Sequence, residues 1–183
     1  MYTSSRGCVF HREGIDYIMS HRMIPLLLAA ALLAACQTTS STNPNSIRYK
    51  LPRGSKLILN QNLEIPAGQA HTIVQNAKAG TSAYKLEIMC RFEVEQLGPR
   101  TIHPDTFLIT EVAQGRQWVN EPNTMLFYKD LHLKSEQQRA ILPMRCGYTD
   151  DPLLGRPVTT EQIRETLGSV FTLVPGPEGG NPQ

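Results

Sequence analysis

Residues 84–94 read YKLEIMCRFEV and alternate between apolar and mostly charged side chains. Successive side chains of a β-strand point to opposite faces of a sheet, so the alternation predicts one half-buried strand over this stretch. A strand with one apolar and one polar face is typical of an antiparallel sheet. Cys90 is expected on the inward face, between Ile88 and Phe92.

Other apolar stretches are separated by Gly and Pro residues at fairly regular spacing. Gly115 is expected to end the strand that starts at Phe107, and residues 76–82 are expected to form a loop. Turn signals between short strands favour a mainly β fold, a small antiparallel β-sandwich or barrel. The further strands are expected at residues 56–65, 71–75, 107–112, 125–133, 140–148 and 170–174.

One short C-terminal helix is predicted over residues 160–167. Thr159 and Gln162 have the spacing of a capping box, in which the two side chains bind the first free backbone N–H groups. Gly168 suits the left-handed conformation that commonly follows the last turn of a helix.

The N-terminal region carries a secretory leader pattern. Arg22, with His21, gives a basic start, and residues 24–35 are twelve consecutive apolar residues. Twelve residues are too few for a helix that crosses a bilayer, which needs about 20. A buried core helix would show polar residues at a 3.6-residue period, and this run has none. The pattern therefore favours a leader that is removed from the mature chain.

The leader ends in Leu33-Ala34-Ala35-Cys36, which resembles the lipobox of bacterial lipoproteins. The resemblance implies diacylglycerol addition to the Cys36 thiol, cleavage between Ala35 and Cys36, and acylation of the new amino terminus. The protein would then be held on a membrane by its lipid. Because Gln37, rather than Asp, follows the cysteine, the resemblance favours the periplasmic side of the outer membrane over the inner membrane.

These signals divide the chain into four parts. Residues 1–35 comprise an over-extended start and the leader, with Met19 or Met23 as the expected start in place of Met1. Residues 36–54 are the lipidated cysteine and a polar, flexible tether. Residues 55–174 are expected to form a single β domain, and residues 175–183, rich in Pro and Gly, a disordered tail.

The charge of the mature chain is close to neutral. Removal of residues 1–35 from the 183 residues leaves 148, with 15 of the 18 basic and 14 of the 16 acidic residues, a net charge of +1. Nucleic-acid binding requires a basic face or stripe, so no nucleic-acid partner is expected.

Cys90 and Cys146 are the cysteines that remain once Cys36 carries lipid. Exported proteins meet an oxidising environment, in which a Cys90–Cys146 disulfide would persist. Both residues fall on the apolar side of their predicted strands. Two buried free thiols or one metal site are the alternatives, although a zinc site would need further Cys or His ligands at suitable spacing.

Few residues form a pattern that indicates catalysis. His103 and Asp105 could ligate a metal or share a proton, but an Asp after Pro before a strand is also ordinary turn chemistry. Glu93 and Glu95 are expected on a solvated strand face. No esterase, phosphate-binding or zinc-helix motif occurs, so no cofactor and no enzymatic activity are expected. The aromatic residues Trp118, Phe127 and Tyr128 could form a binding surface and are expected in the core.

Three functions are consistent with the sequence. The first is a non-enzymatic outer-membrane lipoprotein that serves as an accessory or structural component of a cell-envelope assembly and binds another protein. The second is a β-barrel module with a cavity of about 300 Å³ or more for a small ligand or lipid. The third is a metal-dependent protein that uses His103 and Asp105.

Overall fold

The computed structural model describes residues 41–177. The expected start at Met19, the leader, the cleavage and lipidation at Cys36, the first part of the tether and the end of the tail lie outside the described residues. The described part contains ten strands and one helix: β1 (Lys56–Leu59), β2 (Leu63–Ile65), β3 (His71–Gln75), β4 (Lys78–Gly80), β5 (Met89–Glu93), β6 (Arg100–Ile102), β7 (Asp105–Trp118), β8 (Met125–Lys134), β9 (Met144–Asp150), α1 (Thr160–Leu167) and β10 (Phe171–Val174).

Eight of the strands form one antiparallel sheet in the order β10-β1-β7-β8-β9-β5-β3-β4, and β2 pairs with β6 in a separate two-stranded sheet. The large sheet curls into a half-barrel, and the prediction of a mainly β, antiparallel fold with one short C-terminal helix is confirmed. In the described range, no helix combines the length and apolar character needed to cross a membrane.

The concave face of the half-barrel carries the core. The ring of Phe92 lies 5.9 Å from that of Phe107 and 5.8 Å from that of Phe171, so the three rings join strands from opposite parts of the sheet. Helix α1 covers this face with Ile163 and Leu167, both of which are fully buried. The interior beneath the helix is therefore packed with side chains.

The helix has the predicted bounds and caps. The Thr159 hydroxyl accepts a hydrogen bond from the Gln162 backbone N–H, and the Gln162 side chain accepts one from the Thr159 N–H. Gly168 follows with a φ of 49°, a conformation that glycine adopts without a Cβ penalty.

Cys90 and Cys146 form the predicted disulfide. They lie directly opposite each other on β5 and β9, with their Cα atoms 4.0 Å apart, and neither is exposed to solvent. The bond therefore joins two neighbouring strands from within the core.

The strand predicted over residues 84–94 is shorter in the structure. β5 begins only at Met89, and residues 85–87 form a turn that leaves Tyr84 and Leu86 exposed. The Gln75 side chain accepts a hydrogen bond from the Tyr84 N–H and donates one to the Tyr84 carbonyl. The Gln75 side chain thus occupies the Tyr84 N–H and carbonyl, which a longer strand would have used to pair with a neighbouring strand. The strand therefore does not extend over the first part of the alternating sequence.

Several other boundaries differ from the expectation. The strand predicted over residues 56–65 is divided into β1 and β2, which join different sheets, and residues 78–80 form β4 instead of loop. Asn60 ends β1 by donating its amide to the Ser169 carbonyl and the Thr172 hydroxyl. The strand expected from Ala140 starts later, at Met144.

Gly115 does not end a strand, since β7 continues through it to Trp118. The ring of Tyr128 on β8 lies over this glycine, and a Cβ at position 115 would come within 2.6 Å of the Tyr128 Oη. The glycine therefore makes room for a neighbouring ring on the outer face of the sheet.

Part of the segment assigned to the tether contacts the domain. The Pro44 carbonyl accepts a hydrogen bond from the Glu161 N–H at 3.3 Å, which places residue 44 beside the start of α1. Leu51 packs against the core. The packed region thus extends N-terminal to Ser55.

Candidate functional site

The structure gives His103 and Asp105 separate partners. The His103 Nδ1 lies 3.3 Å from the Asn62 Oδ1, whereas the Asp105 carboxylate accepts hydrogen bonds from the Ser135 hydroxyl and the Thr106 N–H. Ser135 in turn accepts bonds from the N–H groups of the turn that follows β8. Asp105 therefore fixes a turn in this structure.

The three aromatic residues considered for a binding surface lie in different environments. Phe127 is buried, with its ring 5.9 Å from that of Tyr148, as a core residue would be. Trp118 is 62% exposed, so its assignment to the core was wrong. Tyr128 is half-buried on the outer face, above Gly115.

Trp118 belongs to a group of exposed apolar side chains at one end of the sheet. We call this end, where β7 turns into β8 through residues 119–124, the hairpin end. Trp118 pairs with Met125, which in turn pairs with Asp150 at the end of β9. The Thr149 N–H and hydroxyl both donate hydrogen bonds to the Lys85 carbonyl. These bonds place the turn before β5 at the hairpin end.

We define the apolar rim as the five large apolar side chains exposed at the hairpin end: Tyr84 (60% exposed), Leu86 (59%), Trp118 (62%), Leu153 (88%) and Leu154 (71%). They come from three separate chain segments. The nearby Lys85 ammonium lies 2.9 Å from the Glu121 carboxylate, so the two charges neutralise each other. Exposed apolar patches of this kind mark interaction surfaces on soluble domains.

A second feature is an open cleft of about 480 Å³ beside the start of α1. One wall is the segment of residues 47–53, and the other is the middle of β7, residues 109–114. Thr160 and Lys129 complete the lining. The size falls in the range of about 300–1,000 Å³ that is usual for small-molecule sites.

Lys129 is the unusual residue of this cleft. It occupies the inward face of β8 together with Phe127 and Leu131, and it is 3% exposed. Within residues 41–177 the four salt bridges all join other residues. Burial lowers the pKa of the Lys129 ammonium, because a low-dielectric environment disfavours its charged form.

The position of Lys129 is visible in the sequence as a break in an alternating pattern. Residues 125–133 alternate with apolar side chains at the odd-numbered positions, and Lys129 is the polar exception among them. A charged residue at an inward position of a strand is costly unless a partner or a ligand compensates its charge.

The outer face carries charges that pair across strands. Glu93 lies 2.6 Å from Arg91 on the same strand, as expected for a solvated face, and the Arg91 guanidinium lies 3.2 Å from the His71 Nδ1. Partial burial and the nearby Arg91 charge lower the pKa of His71, while Glu93 opposes the shift.

The described residues contain no group of three or more His, Cys, Asp or Glu side chains that could hold a metal ion. The apolar rim and the cleft at Lys129 are the two candidate binding features of the described residues. Comparison with known proteins finds no matching family model, no matching curated protein and no matching solved structure.

Proposed function

We propose that this protein is a lipid-anchored accessory component of a cell-envelope assembly, held on the periplasmic side of the outer membrane, that binds another protein through the apolar rim. The rim is the observation that carries the proposal. Aromatic and large aliphatic side chains dominate binding energy at protein interfaces, and an exposed Trp and Tyr beside three Leu residues supply that composition. The proposal includes no catalytic step.

The membrane attachment in this proposal derives from the lipobox resemblance of residues 33–36. Several acyl chains together anchor a protein stably, whereas one chain binds only marginally. We expect radiolabelled palmitate to be incorporated into the parent protein and not into Cys36→Ser. Fractionation on a density gradient should place the parent with outer-membrane vesicles. Recovery of unlabelled parent protein in the soluble periplasm would contradict the anchor.

A protein partner fits the rim better than the membrane surface does. Anionic lipid surfaces attract clusters of Lys and Arg, while the rim's Lys85 already pairs with Glu121. An apolar surface without a cluster of free Lys and Arg side chains is matched by a second apolar surface, which a folded partner can present with complementary shape. The partner is therefore expected to contribute a largely apolar patch.

Photo-crosslinking in intact cells tests the rim directly. A photoreactive amino acid at position 118 or 154 should give one crosslinked heteromeric product of defined mass. The same residue at Leu97 provides the matched control, because Leu97 is 68% exposed but follows β5 at the opposite end of the sheet. No product is expected there.

The anchor and the rim make separable contributions. Trp118→Ser with Leu154→Ser should abolish the product and leave the protein on the membrane, whereas Leu97→Ser should leave the product unchanged. A product consisting of two copies of this chain, or equal crosslinking from positions 97 and 118, would overturn the proposed partner surface.

A further inference from the structure

The cleft is lined by a buried lysine, Lys129, that makes no salt bridge within residues 41–177. Lys129 is 3% exposed, and desolvation is the single cause of its lowered pKa, with no neighbouring carboxylate contributing. Removal of an ammonium from water costs several kcal/mol, of which a nearby anion can recover a large part. A ligand anion would supply the salt-bridge partner that Lys129 lacks within residues 41–177.

Most of the charges that line the cleft around Lys129 are positive. The lining includes Arg48, Lys50 and Arg53 on the wall formed by residues 47–53, against the single carboxylate of Glu111. A cleft in which one sign of charge predominates concentrates ligands of the opposite sign and raises their rate of association. The field in this cleft therefore favours an anion.

The remaining lining is largely apolar. Ile47, Leu51 and Pro52 face the cleft from one wall, and Ile109 and Val112 from the other. A small inorganic anion would leave these side chains without a contact. An apolar chain attached to the anion would bury them, and burial of apolar surface favours binding.

We propose that the cleft binds a single-chain amphipathic anion, with its carboxylate or phosphate head at Lys129 and its apolar chain between residues 47–53 and 109–114. The head accepts hydrogen bonds from the Lys129 ammonium, and the exposed cations hold the outer part of the head. This site is distinct from the apolar rim, and the proposal does not depend on a protein partner.

Photolabelling of the full-length protein in phosphatidylcholine nanodiscs tests the site. The probe is hexadecanoic acid with a diazirine on its chain, and the matched probe is the corresponding alcohol. We expect the acid to label peptides that contain residues 47–53 and 109–114. The alcohol should label them about tenfold less, since a hydrogen bond to a charged group contributes about 1.5–3 kcal/mol.

Variants of two lysines on β8 distinguish binding at the buried Lys129 from nonspecific attraction of the probe by positive charge. Lys129→Met should reduce labelling by the acid about tenfold, to the level of the alcohol. Lys134→Met changes an exposed lysine of the same strand and should leave labelling unchanged. Thermal unfolding of each variant shows whether it is folded, and Lys129→Gln serves as the second variant if Lys129→Met does not fold.

Competition identifies the head group. Hexadecyl phosphate and unlabelled hexadecanoic acid are compared as competitors, and whichever acts at the lower concentration reveals the preferred head. Inorganic phosphate should compete poorly. Equal labelling by acid and alcohol, full labelling of a folded Lys129→Met protein, or equal competition by inorganic phosphate would each overturn the proposal.

Discussion

The guanidinium of Arg145 lies 4.2 Å from the centre of the Tyr128 ring on the neighbouring strand. Two of its nitrogens also donate hydrogen bonds to the two oxygens of Asp130, at 2.7 and 2.8 Å. Tyr128 itself covers Gly115. A glycine, an aromatic ring and an ion pair thus connect β7, β8 and β9 across the outer face of the half-barrel.

Gly115→Ala should disturb this arrangement. The new methyl group would displace the Tyr128 ring and weaken its contact with Arg145, at a cost of about 1–3 kcal/mol in the free energy of unfolding. Gly80→Ala is the control, because Gly80 also lies in a strand but a Cβ there meets no atom within 4 Å. Urea denaturation measures the free energy of unfolding of both variants. Equal values for Gly115→Ala and Gly80→Ala would contradict the interpretation of Gly115.

Loss of the disulfide should destabilise the domain. The bond joins residues separated by 56 positions, and the chain-entropy estimate for such a loop is about 4 kcal/mol. We expect Cys90→Ala combined with Cys146→Ala to lower the unfolding temperature, with no further decrease when reductant is added. Reductant should lower the unfolding temperature of the parent protein. Insensitivity of the parent to reductant would count against the bridge.

Lys129→Met should stabilise the protein near neutral pH by about 1 kcal/mol or more, because it removes a buried, unpaired charge. Since the folded-state pKa of Lys129 lies below the ordinary value of 10.5, the unfolded chain binds more protons between the two values. The stability of the parent should therefore rise with pH across that window, and the variant should lack this contribution. The Lys134→Met variant should retain this rise of stability with pH.

The His71 ring should titrate below the ordinary value of 6.5 in an NMR experiment. Between its folded-state pKa and 6.5 the unfolded chain binds more protons, so this residue lowers stability as the pH falls through that window. Arg91→Met should raise the pKa, because it removes the nearby positive charge. Glu93→Gln should lower it further, and shifts in the opposite directions would contradict the assigned contacts.

The features predicted correctly from the sequence depend on local sequence patterns. The helix at residues 160–167 follows from the spacing of Thr159 and Gln162 and from Gly168, which are close in sequence. The disulfide follows from two cysteines at inward positions of alternating strands. Such patterns can be recognised without knowing which strands are neighbours.

The features that were missed depend on strand neighbours. Gly115 resembles a strand end until Tyr128 is known to lie beside it, and residues 84–88 resemble a strand until the Gln75 side chain is seen to bind their backbone. The cleft likewise requires knowledge that residues 47–53, which were assigned to the tether, lie opposite β7. Lys129 alone could have been flagged from its position in an alternating pattern.

The position of β1 sets the order in which the sheet can be completed. β1 lies between β7 and β10, and the Gly176 N–H donates to the Ser55 hydroxyl across a separation of 121 residues. β1, the first strand of the described range, therefore keeps an unpaired edge until residues 171–174 join the sheet. Such distant pairings form slowly and expose strand edges to aggregation. A premature stop after Gly168 would therefore produce a chain in which nearly every strand is present but β1 has no partner on one side.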